Sequence, residues 1–300
     1  LWTLTGNSGI ASMRNDGTIA FAAPTGGGFK QFEVNGNYVA NAGHLMVNTA
    51  LGGDTSATDK LVVHGDTAGT TTVVVKNAGG KGALTSNGIE VVQVDGVSNG
   101  TFALGGRVVA GAYEYRLAQG AVATPADSNW YLRSEASVVP DPVTPDPTVP
   151  TDEVPAEPAA DPVTPVGPTP VSPLYRPEPA AYLANQAASV GMFQHSMHDR
   201  MGAANLGKQG DDGRTSAAWV RVVRNQMDGT TGEGQLDAGT DTSVLQIGSE
   251  IARGNDSRFH VGLMGGTGRA DTDVTSSLLD WRAKGKVTGY KVILKVTFVL

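Results

Sequence analysis

The chain's 300 residues suit about two domains, and they carry a formal net charge of −7 with 17% charged residues. This balance excludes a basic nucleic-acid-binding face, and the 40 glycines follow no G-X-Y period, which excludes a collagen-like rod. There is no cysteine; with an extracellular-looking β composition, that suits a chain passing a narrow pore, where a cross-link would lock an oversized loop.

The opening "LWTLTGNSG" has neither a charged n-region nor an apolar h-region, so no signal peptide is expected there and the chain reads as starting mid-protein. Residues 1–135 read as many short strands. "KLVVHG", "TTTVVVKN", "GIEVVQVDG" and "TFALGGRVV" are β-branched runs bounded by Gly, Asn and Asp. They alternate poorly and no helical pattern separates them. A right-handed parallel β-helix accounts for this best, with short strands stacked on their neighbours coil by coil; a β-sandwich is the rival. "AGAYEYRLAQG" and "NWYLRS" read as a closing hairpin, with Tyr113, Tyr115, Trp130 and Tyr131 placing large rings over the open end of the stack.

Residues 136–174 hold most of the 16 prolines and, over 138–173, no Lys or Arg. Proline removes backbone donors and Asp141, Asp146, Asp152, Glu153, Glu157 and Asp161 repel one another, so an extended acidic spacer is expected. A helix is predicted over 175–202, from Pro177 and Pro179 to Gly202. Pro179 to Met201 would measure about 34 Å at the helical rise. Asn185, Gln186, Gln194, His195, His198, Asp199 and Arg200 forbid lipid contact. Its many alanines make it slim, which suits a water-filled pore.

No 18-residue apolar run occurs, so no transmembrane helix is expected, which leaves a membrane β-barrel open. From residue 213 alternating segments follow. Trp219, Arg221 and Val223 oppose Val220 and Val222; Leu245, Ile247 and Ile251 oppose Gln246, Gly248 and Glu250. Phe259, Val261 and Leu263 oppose His260, Gly262 and Met264; Tyr290, Val292, Leu294, Val296 and Phe298 oppose Lys291, Ile293 and Lys295. Strands of roughly ten residues, apolar on one face and small or polar on the other, make the outer-membrane barrel pattern, with polar loops such as "DGTTGEGQLDAGTD" between them.

This order resembles the autotransporters of Gram-negative bacteria, the pertactin-like branch of type V secretion. "GHLMVNTALGGDTSATDKLVVHGDTAGTTTVVVKNAGG" is similar to the end of a β-helical passenger and its autochaperone region. "GAYEYRLAQG" with "NWYLRS" resembles that region's closing strands, "YRPEPAAYLANQAAS" and "MHDRMG" the pore helix, and "AWVRV" the first barrel strand. The resemblance implies export of a passenger, adhesin-like in character, across the outer membrane with the aid of its own barrel. Its partners would be outer-membrane lipid, barrel-assembly machinery, periplasmic chaperones and host surface ligands, with no nucleic acid and no cofactor. Trp130, Tyr131, Arg176, Arg200, Trp219 and Arg221 are the residues expected to serve structure and translocation. The family's barrel has twelve strands and ends on an aromatic residue, whereas about 87 residues follow Gly213 and the chain ends "TFVL". A truncated translocator that does not insert as a working barrel is therefore expected. The rival function is a free secreted β-helical adhesin or carbohydrate-binding module with a disordered tail.

No catalytic chemistry is expected. "GAANLGKQ" (202–209) has Gln209 where a P-loop needs Ser or Thr, and reads as a turn. "HSMHD" sets His195 and His198 one turn apart without a third ligand. "GGTGRADTD" (265–273) departs from a calcium nonapeptide and reads as a loop. No G-x-S-x-G occurs, and Asn185-Gln186 stands where some family members carry a self-cleaving Asn-Asn pair. Arg176 and Arg200, with Glu178, are expected to pair with the lumen charges Arg221, Glu250 and Lys291.

Overall fold

In the computed structural model, residues 1–26, 28–136, 172–194, 218–253 and 259–298 are described, and they divide into two units, Leu1–Leu174 and Tyr175–Leu300. The first unit is a parallel β-solenoid of about three turns. Its strands are β1 (Trp2–Leu4), β2 (Ser8–Ile10), β3 (Met13–Asn15), β4 (Thr18–Phe21), β5 (Gln31–Val34), β6 (Tyr38–Thr49), β7 (Lys60–Val63), β8 (Thr67–Asn77), β9 (Ile89–Val94) and β10 (Thr101–Leu104). One sheet runs β1-β4-β6-β8-β10, with β3 also on β6; the other contains β2-β5-β7-β9, all parallel.

The stacking explains the missing alternation. Phe32 pairs in register with Leu61, and Leu61 with Val92; all three are fully buried, as are Val34 and Val63. Each coil thus adds its apolar residues to one continuous core, and every strand is backed by the coil before it. Polar groups are stacked too. On three successive coils, the Asn15 amide donates to the Tyr38 hydroxyl (2.9 Å), which lies 3.1 Å from the Thr71 hydroxyl. Buried Asp59 accepts from the backbone N–H groups of Lys30 (2.8 Å) and Asn48 (2.9 Å) and from the Asn48 amide (2.6 Å).

A repeat that the strand pattern hides sits at one corner: "VNGN" (34–37), "VHGD" (63–66) and "VDGV" (94–97). The Asn37 side chain accepts from the Asp66 N–H at 3.0 Å, and the Asp66 carboxylate accepts from the Val97 N–H at 2.8 Å. Gly36, Gly65 and Gly96 stack beneath these bonds. A Cβ on Gly65 would lie 2.7 Å from the Gly36 carbonyl carbon, and one on Gly96 2.7 Å from that of Gly65. The coils approach this closely only because nothing projects from the column.

The solenoid continues into β11 (Val108–Ala110), β12 (Tyr113–Gln119) and β13 (Trp130–Arg133), which are antiparallel to one another, and β13 pairs antiparallel with β9. Two residues further on, β14 (Glu135–Ala136) pairs with β15 (Ser172–Pro173). This corrects the spacer expectation at its far end. Leu174 is fully buried, donates its N–H to Ser134 O (2.7 Å) and accepts from Glu114 N (3.0 Å). The two ends of the proline-rich stretch are therefore held side by side on the solenoid, and the chain passes from the first unit to the second between Leu174 and Tyr175. Pro173 is tolerated because β15 is a two-residue edge strand. The prolines of 137–171 lie outside the described residues.

The second unit has one helix, α1 (Glu178–Gly191), and four antiparallel strands in sequential order: β16 (Ala218–Thr231), β17 (Leu236–Arg253), β18 (Phe259–Ser276) and β19 (Arg282–Phe298). Among the described residues the sheet is open and does not close into a barrel. The helix is shorter than the sequence suggests: it has 14 residues, about 21 Å, and ends at Gly191, after which Met192–Phe193 turn. Met192 drops into a pocket of Val244 and Ala270, with Phe193, Val223 and Val287 around it. At the other end Ala180 and Ala181 pack on Leu236, Val274 and Ala283.

The strands are longer than the ten or so residues expected, at 14, 18, 18 and 17. "DGTTGEGQLDAGTD" is not a loop but the end of β16, a tight turn and the start of β17; Gly232, Glu233 and Gly234 all take positive φ there. "GGTGRADTD" is not a loop either. It lies mid-strand in β18, paired on both sides: Thr267, Arg269 and Asp273 are exposed, while Gly266, Gly268 and Ala270 make room inside and buried Thr272 meets the Thr240 hydroxyl at 3.0 Å. The compact second unit also removes the disordered tail from the rival reading, for its described residues.

Candidate functional site

The densest polar and aromatic constellation of the solenoid lies where β12 and β13 meet the last coil. The 120–129 connection is built by its own side chains. The Thr124 hydroxyl donates to Asp127 Oδ2 (2.9 Å), and Asp127 Oδ1 accepts from Asn129 N (2.9 Å). Asn129 Oδ1 then accepts from Val94 N (2.8 Å), which ties the connection to β9. β13 leaves this turn with Trp130 pointing in and Tyr131 pointing out.

Trp130 is buried against Phe102, ring centroids 5.3 Å apart and tilted by 57°, and Phe102 stacks in turn on Tyr38 at 6.0 Å. Its indole N–H donates to Ser98 Oγ at 3.0 Å. Tyr115, fully buried on β12, reaches back across two coils. Its hydroxyl lies 2.9 Å from Gly52 O and 3.0 Å from Ala83 O, and accepts from Ala83 N at 3.0 Å. Ser134 and Thr85 exchange bonds: each backbone N–H donates to the other's hydroxyl at 2.9 Å. Asp54 receives the successive N–H groups of Ser86, Asn87 and Gly88 at 2.8–3.1 Å. Segments 32 to 63 residues apart are thereby clamped together, with the Thr85–Ser134 pair of bonds fully buried.

Tyr131 lies at the rim of this lock. Its hydroxyl is 3.1 Å from both Glu90 Oε2 and Asp127 Oδ2, while Asn129 Nδ2 donates to it (3.3 Å) and to Glu90 (3.0 Å); Lys60 pairs with the other Glu90 oxygen at 2.7 Å. Desolvation, reinforced by the two facing carboxylates and opposed by the Asn129 bond, pushes the phenol up to about 12. In the unfolded chain the phenol titrates near 10.0. Between those values the unfolded chain releases a proton that the folded chain keeps, so stability falls as pH rises through this window. A declining urea midpoint from about pH 10 to pH 12 is expected, shallower in Tyr131→Phe. Tyr38 and Tyr115, shifted the same way by burial, keep the slope from vanishing. A slope identical in Tyr131→Phe would show that the hydroxyl takes no part.

The second constellation is the inner face of the sheet beneath α1. Gly268, Gly285 and Gly289 lie under Met192, Asn185 and Phe193. Trp219 covers Gly248, and Arg221 donates to Gln246 Oε1 at 2.8 Å. Lys291 reaches Phe193 O (3.4 Å) and stands 6.0 Å from that ring's centroid. Arg221 and Lys291 thus each have a neutral partner among the described residues. The buried Arg176 Nε and Asn185 Oδ1 have no hydrogen-bond partner among the described residues. Arg200, "HSMHD" and "GAANLGKQ" lie outside the described residues, as does the Glu250 side chain. The structure brings Trp130 and Tyr131 together at the solenoid's end and Trp219 and Arg221 together on the sheet. Asn129, Ser134, Thr85 and Asp54 were missed, since single polar residues in turns carry no periodic signal.

The family model described as Autochaperone Domain Type 1 matches residues 8–117, which takes in the solenoid from β2 to most of β12. The uncharacterized protein YdeU of Escherichia coli K12 is 38% identical over 88% of this chain and 55% of its own length. The adhesin BmaC autotransporter of Brucella suis biovar 1 is 42% identical over 63% of this chain and 5% of its own. The autotransporter adhesin AIDA-I of Escherichia coli is 27% identical over 85% and 18%. The chain therefore spans about half or less of the curated relatives it matches.

Proposed function

We propose, from the premise that this chain carries the autochaperone region of an autotransporter passenger, that its solenoid end is the folding nucleus driving passenger export to the cell surface. The observation that carries this is the lock formed by Tyr115, Trp130 and Ser134 with turns of earlier coils. A solenoid grows one coil at a time, and each coil needs a finished neighbour to stack on. The end that reaches the outside first must therefore be stable alone, and cross-coil bonds meet that need. Once it holds, every added coil buries apolar surface and pulls on the chain behind it, without a nucleotide motor.

The second unit acts in the same scheme as part of the outer-membrane translocator. The sheet's outer face supports this. Val220, Val222, Tyr290, Val292 and Leu294 are 66–81% exposed on it, while its inner face, a mix of valines, small residues and polar ones, receives α1. The device is mechanical rather than catalytic, sits in a Gram-negative outer membrane and displays an adhesin-like passenger; the adhesin character rests on the relatives' names. The test is a full-length parent polypeptide lacking the segment of residues 108–136. Surface-accessible passenger should fall to background while the C-terminal part still reaches the outer membrane. Undiminished display would refute the nucleus role.

A further inference from the structure

We propose that the outward face of the four-stranded sheet binds a lipid headgroup that ends in an exposed phosphate monoester, held by the cross-strand row Arg224, Ser243, Arg269 and Thr288; this rests on the membrane reading above. The ladder registers place Arg224 opposite Ser243, Ser243 opposite Arg269 and Arg269 opposite Thr288, and all four are exposed. The next row to one side is Val222, Leu245, Thr267 and Tyr290, followed by Val220, Ile247, Gly265 and Val292. The next row to the other side is Gln226, Asp241, Asp271 and Lys286, then Asp228, Gly239, Asp273 and Lys284. The arginine row is thus the border between an apolar belt and a charged zone on one continuous face.

Position and charge together select the occupant. Arg224 and Arg269 are two strands apart, about 10 Å at the backbone, a gap that two guanidinium groups close on one phosphate, with Ser243 and Thr288 hydroxyls beside them. Arg224 has no partner among the described residues. Arg269 is held along the sheet by Asp271, at 2.5 and 2.7 Å, and Lys286 stands across from that carboxylate to share its charge. A free phosphate would make no use of the adjoining belt. A lipid does: its chains lie along Val222, Leu245 and Val292 while its headgroup meets the arginines, and Tyr290 marks the border as aromatic residues do at membrane interfaces.

The experiment is co-flotation of the full chain with vesicles of phosphatidylcholine alone, with added phosphatidic acid, or with added phosphatidylserine. The chain is expected to bind all three and to prefer phosphatidic acid over phosphatidylserine by about tenfold, because two guanidinium groups bond the doubly ionisable, unhindered phosphate monoester, whereas phosphatidylserine offers only the general attraction of an anionic surface. Arg224→Gln/Arg269→Gln should lose that preference and keep its binding to phosphatidylcholine, which also reports an intact fold; Arg14→Gln, on the solenoid, should keep both. Equal binding of all vesicles, an equal gain from phosphatidylserine, or a preference that survives in the double variant overturns the headgroup assignment alone. Binding to no vesicle overturns it together with the membrane reading.

Discussion

Gly69→Ala is expected to cost the solenoid about 3 kcal/mol or more, a loss large enough to matter against the total stability of a small domain. Gly69 pairs with Ala40 at the corner where β6 and β8 bend from one solenoid face to the next. Its φ is +80°, a region that costs a non-glycine residue about 1–2 kcal/mol. A Cβ there would fall onto the Ala40 carbonyl oxygen and lie 2.9 Å from its carbon. That neighbour is backbone held by the ladder, so it cannot swing aside as a side chain would. Ala42, one coil earlier, already carries φ +52° at this corner, so the bend itself demands the conformation. Pulse proteolysis in urea, scored on the solenoid unit, would measure the change. Gly106→Ala is the reference: open space surrounds it, its φ is not positive, and its effect should stay within about 0.5 kcal/mol. If both variants unfold at the same urea concentration as the parent, the coils are not packed this closely.

Trp130→Ala is expected to cost about 3–5 kcal/mol, the range for emptying a buried aromatic site. The ring is 8% exposed and is the last member of the Tyr38–Phe102–Trp130 column. Its loss uncovers Phe102 and removes the indole bond to Ser98, whose hydroxyl keeps Thr67 as a partner at 3.3 Å. Trp130→Phe separates the two contributions. It keeps a ring over Phe102 and removes the bond to Ser98, worth about 1 kcal/mol, together with the smaller part of the indole's packing. In the nucleation reading the alanine variant should also refold slowly after dilution from urea and reduce passenger display in the parent polypeptide, with the phenylalanine variant close to the parent in both. A Trp130→Ala chain that refolds and displays normally would mean that the aromatic column packs the end of the solenoid without nucleating it.

Much of this was written in the sequence through periodicity. β-branched runs bounded by Gly and Asn marked the stacked strands, because coil stacking buries such residues whatever their parity. The two-residue alternation from Trp219 to Phe298 marked a sheet with one apolar and one small or polar face, because a strand's side chains must alternate. Paired Tyr and Trp residues marked the hairpin that follows the last coil. The tertiary structure alone decided the rest. Leu174 returns to Ser134 and Glu114 and brings both ends of the proline-rich stretch together; composition cannot register a bond between residues 40 apart. Met192, at the end of the helix, packs on Val244 and Ala270, a place made by two strands far along the chain. The polar segments at 228–241 and 265–273 became strand because neighbouring ladders supply their backbone partners, so local polarity had no vote. Local pattern determines what each segment is able to form, since it acts through nearest neighbours along the chain; where segments end and what they hold is settled by partners that only folding brings within hydrogen-bonding reach.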